Sequence, residues 1–251
     1  MNKAVSFDYQ SSLTKRDPRE EMQSGLHHLD TNDEIEVLGF DLDGTLISNN
    51  TWELMHEAVG IPAEQDWEWY QQFLSGQLTY SQWLKLIEEA YIERGVTRQM
   101  IEGVFAKIEL TEGCQEVIDK LKNKFRLAIV SSSVDLIVQY VASKLNITQW
   151  KSNCHLIFDK HDKLVRIDWD DSEEIAKIDH IFEISERVKC PVQKWAFVGN
   201  SYNDLPALSL VKLGILYWQK PVLPENVGPD WIIIKRFSEL EALLDRKVID
   251  L

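Results

Sequence analysis

The chain has 251 residues, of which 44% are hydrophobic and 27% are charged, a balance typical of globular proteins and unlike that of disordered or fibrous ones. Its formal net charge is -14 at pH 7. A surface of that sign repels nucleic acid and anionic membranes unless a basic patch opposes it, and Lys and Arg are scattered along the sequence. We therefore expect no nucleic-acid partner and no membrane partner.

The first 33 residues and the cysteines also restrict the class of protein. Residues 1–33 are polar and mixed in charge, which predicts a flexible N-terminal extension and no signal peptide. The three cysteines, Cys114, Cys154 and Cys190, are odd in number and form no C-x-x-C pattern, so we expect reduced thiols and neither a disulfide framework nor a structural zinc site. No run of about 18 apolar residues occurs, and a cytoplasmic location is the default expectation.

The predicted elements begin with a short apolar strand at 35–40, which ends at the polar turn Asp41-Leu42-Asp43-Gly44-Thr45. From 51 to about 107 the apolar residues recur at helical spacing between Gly and Pro breaks, which predicts an all-helical insert. Beyond Gly113, helices and strands alternate. We predict helices at 114–123, 134–145, 173–188, from 204 and at 238–246, strands at 125–130, 195–198, 214–217 and 231–234, and a hairpin at 155–169.

This alternation predicts an α/β fold, because a crossover helix must return the chain over the sheet between parallel strands. Such sheets bind ligands at the carboxyl ends of their strands. The predicted organisation is the extension at 1–33, a core at 34–48 and 109–251, and a helical cap at 49–108.

Two carboxylates, Asp41 and Asp43, follow the first predicted strand directly. Neither strand propensity nor packing explains charged side chains at the tip of a buried strand. One carboxylate of such a pair can attack phosphorus, while the other protonates the leaving oxygen and later deprotonates water. Taken alone, the segment is also explained as a turn in which Asp43-Gly44 supplies ordinary turn chemistry.

Three further segments carry polar groups that could join this pair. The serines at 131–133 follow the strand at 125–130 and offer hydroxyl and N–H groups to a phosphoryl oxygen. Lys177 lies on the predicted helix at 173–188. The segment Gly-Asn-Ser-Tyr-Asn-Asp at 199–204 follows another strand and offers oxygen ligands that suit Mg²⁺. Singly, these segments are also explained by helix N-caps and a surface lysine; their convergence at one sheet edge favours a shared site.

In this order, the four segments resemble the four motifs of the haloacid dehalogenase superfamily, and more narrowly its phosphoserine-phosphatase-like branch, over about residues 35–217. The ordered set is a specific signal. The resemblance implies a Rossmann-like three-layer α/β core with a helical cap inserted after the first strand. It also implies a Mg²⁺-dependent phosphatase, a phosphoric monoester hydrolase that acts on a small phosphate ester through an aspartyl-phosphate intermediate.

The resemblance also implies roles for individual residues. Asp41 is the expected nucleophile, Asp43 the general acid and base, and Lys177 the cation that steadies the nucleophile and the phosphate. The expected Mg²⁺ ligands are the Asp41 carboxylate, the Asp43 main-chain carbonyl and either Asn200 or Asp204. The expected phosphate-binding and substrate-binding residues are Thr45, Ser131, Ser132, Asn203, Asn50 and Lys85.

The sequence departs from the family pattern at Asn200, where the family usually has a metal-binding aspartate. An amide oxygen can coordinate Mg²⁺ but brings no charge, so we expect weaker metal binding. A neutral residue here also raises the alternative of a metal-independent dehalogenase. Asp43 argues against that alternative, because a dehalogenase has no leaving-group oxygen to protonate and the family's dehalogenases lack this second aspartate.

The helical insert is expected to hold the substrate specificity. In phosphoserine phosphatases an acidic residue near the start of the cap and an arginine further on bind the amino acid, and the matching positions here are Asn50 and Lys85. Loss of the acid removes the partner of the ammonium group, so phosphoserine is a doubtful substrate. The insert is rich in aromatic residues that either pack its own core or form a pocket for a quaternary-ammonium ester such as phosphocholine: Trp52, Trp67, Trp69, Tyr70, Phe73, Tyr80 and Trp83.

Two other functions remain open at this stage. A phosphotransferase would pass the phosphoryl group to an alcohol instead of water. A binding or regulatory protein would have kept the fold and lost efficient chemistry, and Asn200 is the residue that points to it.

Overall fold

The computed structural model describes residues 35–170, 172–224 and 226–249, with side chains as far as 244. The predicted extension at 1–33 lies outside these residues. In chain order the elements are β1 (Val37–Phe40), α1 (Thr51–Ala58), α2 (Ala63–Leu74), α3 (Tyr80–Glu93), α4 (Arg98–Glu102), α5 (Cys114–Leu121), β2 (Arg126–Val134), α6 (Asp135–Leu145), β3 (Gln149–Phe158), β4 (Leu164–Trp169), α7 (Glu173–Val188), β5 (Trp195–Gly199), α8 (Leu205–Leu210), β6 (Leu213–Tyr217), β7 (Ile232–Ile234) and α9 (Glu239–Ile249). Short 3₁₀ turns occupy Gly103–Lys107, Val192–Lys194 and Tyr202–Asp204.

The described strands form one seven-stranded sheet in the order β4-β3-β2-β1-β5-β6-β7. Every neighbouring pair is parallel except β3 with β4. β1 lies at the centre, where Leu38 pairs with Leu127 on β2 and with Ala196 on β5. The predicted α/β fold is therefore confirmed, and the carboxyl ends of β1, β2 and β5 meet at one edge.

Successive residues of β1 pack into two cores on opposite faces of the sheet, as the pleat requires. Val37 joins the core that contains Ile181 and Ile184 of α7. Leu38 and Phe40 join the other core, to which α5, α6 and α9 contribute. Each fully buried side chain of this size contributes about 1.5–3 kcal/mol. Because both faces are covered, the strand is apolar throughout and its first charged residue comes only at its end.

Two strand boundaries differ from the sequence prediction. β2 continues to Val134, so the three serines at 131–133 lie near its carboxyl end, where the register of its pairing with β3 shifts. β3 begins at Gln149, before the predicted hairpin at 155–169, because its first half pairs in parallel with β2 and only its second half pairs with β4. Because residues 151–153 are polar, the apolar pattern of the sequence does not predict the first half of β3. In the fold, the Ser152 hydroxyl donates to the Ser133 and Cys154 carbonyls.

The segment between β1 and α5 is helical, as predicted, and its side chains enter the core shared with the sheet. Leu84 and Ile87 of α3 belong to the same buried cluster as Leu38 of β1. The Glu88 carboxylate accepts from the Ile167 N–H at 2.7 Å and so binds α3 to β4. We call residues 51–107 the helical insert; its definition as a separate cap domain at 49–108 stays a prediction.

α2 differs from the other long helices of the insert. None of its residues is buried, whereas α3 buries seven. α2 follows Pro62 without a side-chain cap, while α3 starts with a capping box in which Thr79 and Gln82 satisfy each other's backbone N–H groups. The rings of Tyr70 and Phe73 on α2 contact that of Trp83 on α3, so aromatic contacts contribute to holding α2 in place.

The three cysteines are free and buried. Burial raises the pKa of the Cys114 thiol and of the Cys154 thiol to about 12, so both stay protonated and unreactive at neutral pH. In the part of the chain that is described, no helix has the length and apolarity needed to cross a membrane.

Candidate active site

The fold brings the polar segments predicted from the sequence to one edge of the sheet. Asp41 follows β1, the serines end β2, and the loop 200–204 follows β5. Lys177 reaches the same edge from α7, and its side chain is only 1% exposed. The site is thus assembled from three neighbouring strands and one crossover helix.

The Lys177 ammonium lies at the centre of a buried charge cluster. It donates to the Asp41 carboxylate at 2.8 Å, to the Asn203 side-chain oxygen at 3.2 Å and to the Asp204 carboxylate at 2.5 Å. Burial by itself would lower the pKa of Lys177, but the Asp204 and Asp41 charges outweigh it and hold that pKa above its ordinary value. Lys177 is therefore a permanent cation held directly against Asp41.

Asp204 organises the loop after β5 and has no free oxygen. Its second oxygen accepts from the backbone N–H groups of Asn200 and Ser201, both at 2.9 Å, and from the Ser201 hydroxyl at 2.8 Å. A Cβ atom at Gly199 would lie 2.5 Å from the Asp204 Cγ, so this close approach requires glycine. Direct metal coordination by Asp204 would cost it one of these contacts, which leaves Asn200 as the better placed of the two predicted ligands.

Asp43 is held by the first residue of the helical insert. One of its oxygens accepts from the Thr51 hydroxyl at 2.6 Å and from the Thr51 N–H at 3.2 Å. Its other oxygen is buried without a hydrogen-bond partner among the described residues. The Thr51 hydroxyl also lies 2.5 Å from the Ser133 hydroxyl, so Thr51 joins the ends of β1 and β2.

Thr51 is a site residue that the motifs do not indicate. The one sequence signal is its position, directly after Asn50, the residue that caps α1. A short side chain at the start of a helix is typical of ordinary capping, and only the fold shows that its hydroxyl reaches the Asp43 carboxylate.

The buried carboxylates outnumber the buried cation. Burial, and after it the Asp204 charge, raises the pKa of Asp41 to about 7, although Lys177 opposes the shift. Burial also raises the pKa of Asp43 to about 6, against the lowering effect of the hydrogen bonds from Thr51. A bound cation would remove this imbalance, since metal ions reverse such shifts.

The residues present fit a Mg²⁺ ion. The Asn200 amide oxygen is buried and lacks a hydrogen-bond partner among the described residues, so one unsatisfied hard oxygen ligand is already present in the loop after β5. Within the described chain, no group of three or more His, Cys, Asp or Glu side chains could hold a metal by itself. A Mg²⁺ ion here would take the Asn200 amide, a main-chain carbonyl and water in addition to the Asp41 carboxylate, a mixed oxygen set that suits Mg²⁺.

The predicted phosphate-binding residues lie at the same edge. Ser131 is 2% exposed, and its hydroxyl accepts from the Ser133 N–H at 3.0 Å. The hydroxyls of Thr45 and Ser132 are buried without hydrogen-bond partners among the described residues. The Asn203 amide donates to the Glu173 carboxylate at 2.8 Å. Ser131 and Ser132 line the cleft together with Asp41, and their hydroxyls suit an anionic ligand rich in acceptor oxygens. Thr45 is fully buried and does not line the cleft, so the structure does not expose its hydroxyl to a ligand there.

The structure separates the two residues predicted to bind the rest of the substrate. Asn50 lines the cleft, but its side-chain oxygen accepts from the N–H groups of Trp52 and Glu53 as the cap of α1. Lys85 lies outside the cleft, is 54% exposed and pairs with Glu88. The structure does not bring Lys85 to the site.

A cleft of about 400 Å³ opens beside Asp41 and Asp43. Two of the seven aromatic residues singled out from the sequence do not line it: Trp69 is packed against the main core and Tyr80 is buried. The other five line the cleft: Trp52, Trp67, Tyr70, Phe73 and Trp83.

Comparisons with known proteins agree with this architecture. Among curated proteins, the chain is 27% identical over 197 residues to the phosphoserine phosphatase of Methanocaldococcus jannaschii, covering 76% of this chain and 89% of that protein. It is 25% identical over 199 residues to the phosphoserine phosphatase of Lactococcus lactis, covering 76% of this chain and 88% of that protein.

Solved structures show the same fold. A HAD family hydrolase from Salmonella enterica serovar Typhi superposes with a TM-score of 0.71 at 21% identity, covering 84% of this chain and 72% of that chain. A phospho-aspartyl intermediate analogue of phosphoserine phosphatase superposes with a TM-score of 0.65 at 24% identity, covering 85% of this chain and 99% of that chain.

A protein-family model described as haloacid dehalogenase-like hydrolase matches residues 35–211, which is more than half of the chain. The match includes every residue of the charge cluster around Lys177. The chain therefore belongs to the haloacid dehalogenase-like hydrolases, and its curated relatives place it with the phosphatases of that family.

Proposed function

We propose that the protein is a Mg²⁺-dependent phosphatase that hydrolyses a small phosphomonoester through an aspartyl-phosphate on Asp41. The observation that carries the proposal is the buried contact between Lys177 and Asp41 at the tip of β1, with Asp43 two residues further on. The similarity to phosphoserine phosphatases supports the choice of phosphate esters as substrates.

Each of the three residues has one task in the proposed reaction. Lys177 keeps the Asp41 carboxylate oriented and offsets part of its charge, so that Asp41 can approach an anionic phosphoryl group. Asp41 attacks phosphorus, the ester bond breaks, and Asp43 gives its proton to the departing oxygen. Asp43 then takes a proton from water, which attacks the phosphorus, releases inorganic phosphate and regenerates Asp41.

The raised pKa of Asp43, about 6, suits a group that must donate a proton in one step and accept one in the next near neutral pH. Thr51 fixes one oxygen of this carboxylate by two hydrogen bonds. The other oxygen, which has no partner among the described residues, is the one left to face the leaving group and the water.

Charge on the phosphoryl oxygens has to be offset throughout the reaction. When bound by the Asp41 carboxylate, the Asp43 main-chain carbonyl and the Asn200 amide, Mg²⁺ supplies the positive charge that this acidic edge lacks. The hydroxyls of Ser131 and Ser132 and nearby backbone N–H groups donate to the phosphoryl oxygens.

The test is phosphate release from p-nitrophenyl phosphate with and without Mg²⁺. We expect Mg²⁺-dependent turnover that falls by at least about a thousandfold in Asp41→Asn, with an unchanged circular dichroism spectrum. Asp162→Asn is the matched control, because Asp162 is 68% exposed in the β3–β4 turn. Equal turnover by Asp41→Asn and Asp162→Asn would contradict the proposal, and silence on all phosphate esters would favour the binding protein.

A further inference from the structure

The cleft beside Asp41 carries negative charge beyond the two catalytic carboxylates. Glu53, Asp66 and Glu173 also line it, and among the described residues no Lys, Arg or His lines it. Lys177 lies behind the cleft surface, and its ammonium is already engaged by three side-chain oxygens. The part of a substrate that extends beyond the phosphate therefore meets acidic groups and no cation.

Two of these acids have only neutral partners. Glu173 accepts from the Asn203 amide at 2.8 Å, and Glu53 accepts from the Asn50 amide at 3.2 Å. In the described part of the chain neither forms a salt bridge, whereas Asp66 lies 2.9 Å from the His56 ring nitrogen. The charges of Glu53 and Glu173 thus remain available to a ligand.

The aromatic residues face the same space. Tyr70 and Phe73 share one face of α2 with Asp66, at helical spacing i, i+4 and i+7. The Tyr70 ring lies 6.1 Å from that of Trp67, 6.3 Å from that of Phe73 and 6.2 Å from that of Trp83. Glu173 lines the same cleft as Tyr70. Burial, and after it the Glu173 charge, raises the pKa of Tyr70.

Two features indicate that this aromatic group serves a ligand as well as packing. Trp67 is 61% exposed and Tyr70 is 39% exposed, although both are large and mainly apolar. Trp83 is only 7% exposed, lines the cleft, and its indole N–H has no acceptor among the described residues. Aromatic faces attract cations, and more strongly where a nearby carboxylate adds its own field.

We infer that the natural substrate is the phosphate ester of an alcohol that carries a cationic nitrogen, bound by the aromatic faces of Trp67 and Tyr70 and by the carboxylates of Glu53 and Glu173. This inference rests on the proposed phosphatase function and names its substrate class. In the reaction the amino alcohol leaves with the proton from Asp43 and the phosphoryl group passes to Asp41; water then supplies the fourth oxygen of the released phosphate and returns a proton to Asp43. The inferred class is limited to esters without a carboxylate: phosphoserine also carries an ammonium group, but its carboxylate would lie against these acids without a basic partner.

The experiment compares kcat/KM for three esters at fixed Mg²⁺. Phosphocholine is paired with dimethylbutyl phosphate, its neutral isostere in which a carbon atom replaces the ammonium nitrogen, and phosphoserine is the third. We expect phosphocholine to exceed the isostere by about tenfold and phosphoserine by more. Equal rates for phosphocholine and its isostere, or a preference for phosphoserine, would overturn the inference. Phosphoethanolamine then shows whether a primary or a quaternary nitrogen is preferred.

Variants test whether the preference for phosphocholine over its isostere depends on the acidic and aromatic residues of the cleft. Glu173→Gln keeps an oxygen that can accept from Asn203 and removes the charge. Trp67→Leu removes an exposed ring. Each variant should lower the ratio of kcat/KM for phosphocholine to kcat/KM for the isostere by about threefold or more. Glu64→Gln is the control, because Glu64 lies on α2 but outside the cleft. Equal ratios in all three variants would contradict the assignment. Thermal melting shows that each variant is folded.

The two proposals fail in different ways. Hydrolysis of p-nitrophenyl phosphate that depends on Asp41 is measured first. If it is absent, both the phosphatase proposal and the substrate class are wrong. If it is present and the charged ester has no advantage over its isostere, the phosphatase proposal stands and only the substrate class is wrong.

Discussion

At the scale of single residues, the site depends on one buried lysine, Lys177, which forms ion pairs with the carboxylates of Asp41 and Asp204. Lys177 is 1% exposed, Asp204 is fully buried, and Asp41 is 5% exposed. A buried ion pair adds little net stability over an apolar replacement of both partners, but removal of one partner leaves an uncompensated charge. The cluster is therefore sensitive to the loss of any one member.

Lys177→Met should lower the free energy of unfolding at pH 7 by about 3 kcal/mol, because Asp41 and Asp204 lose their cation and remain buried. Urea denaturation measures the change. Lys122→Met is the control, since Lys122 pairs with Asp119 in an exposed position and should change stability by less than about 1 kcal/mol. Similar losses in the two variants would show that the buried cluster has no special role.

Asn200→Asp should bind Mg²⁺ more tightly than the natural chain, by about tenfold, because a charged oxygen replaces a neutral one in a site of hard ligands. Isothermal titration calorimetry with Mg²⁺ alone gives the affinity without reference to turnover. Asn123→Asp makes the same change of charge at an exposed position and should leave the affinity unaltered. An affinity that is equal in both variants would exclude residue 200 from the metal site.

Several of these residues could be predicted from the sequence, because strand ends and motif order carry the information. Asp41, Asp43 and Ser131 follow from where the apolar runs stop, whereas Lys177 lies within a helix and is predicted only from the resemblance to the family's third motif. Which residue of the loop 200–204 is free to bind a metal could not be predicted. This depends on which oxygens of Asp204 already accept from backbone N–H groups. Lys85 was placed by alignment alone, and its actual partner, Glu88, lies on the same turn of α3.

At the scale of elements, the sequence predicts long periodic helices better than strand limits. α7 has the predicted bounds, 173–188, because its helical spacing is regular and Ser172 caps it. β3 begins earlier than predicted. A strand inside a sheet can contain polar residues when neighbouring carbonyl groups accept hydrogen bonds from them, as the Ser133 and Cys154 carbonyls do from Ser152. That compensation exists only in the folded sheet.

The contrast between α2 and α3 gives a prediction about local opening. α2 has no buried residue and α3 has seven, so the amide hydrogens of α2 should exchange with solvent at least about tenfold faster than those of α3. Hydrogen–deuterium exchange read by mass spectrometry measures both helices in one experiment, with α3 as the internal control. Equal protection of the two helices would contradict this expectation.

At the scale of the whole molecule, one buried cluster runs from the sheet into the helical insert. Leu38 and Phe40 of β1 and Met55 and Ile87 of the insert belong to it. Parts of a chain that share a core unfold together, because neither part keeps its buried surface when the other is lost.

The insert and the sheet should therefore unfold in a single thermal transition. Far-ultraviolet circular dichroism reports on all helices, while tryptophan fluorescence reports on the surroundings of nine tryptophans in both parts, four of which lie in the insert: Trp52, Trp67, Trp69 and Trp83. The midpoints from the two probes should coincide within about 2 °C. Two separate midpoints would indicate an insert that is stable by itself.

The hydroxyl of Thr51 connects the helical insert to Asp43, which lines the cleft. That hydroxyl belongs to the first residue of the insert and is the group that holds Asp43. Displacement of the insert would remove both hydrogen bonds that Thr51 donates to the Asp43 carboxylate. In the proposed reaction, proton transfer by Asp43 would therefore require the insert to be in place.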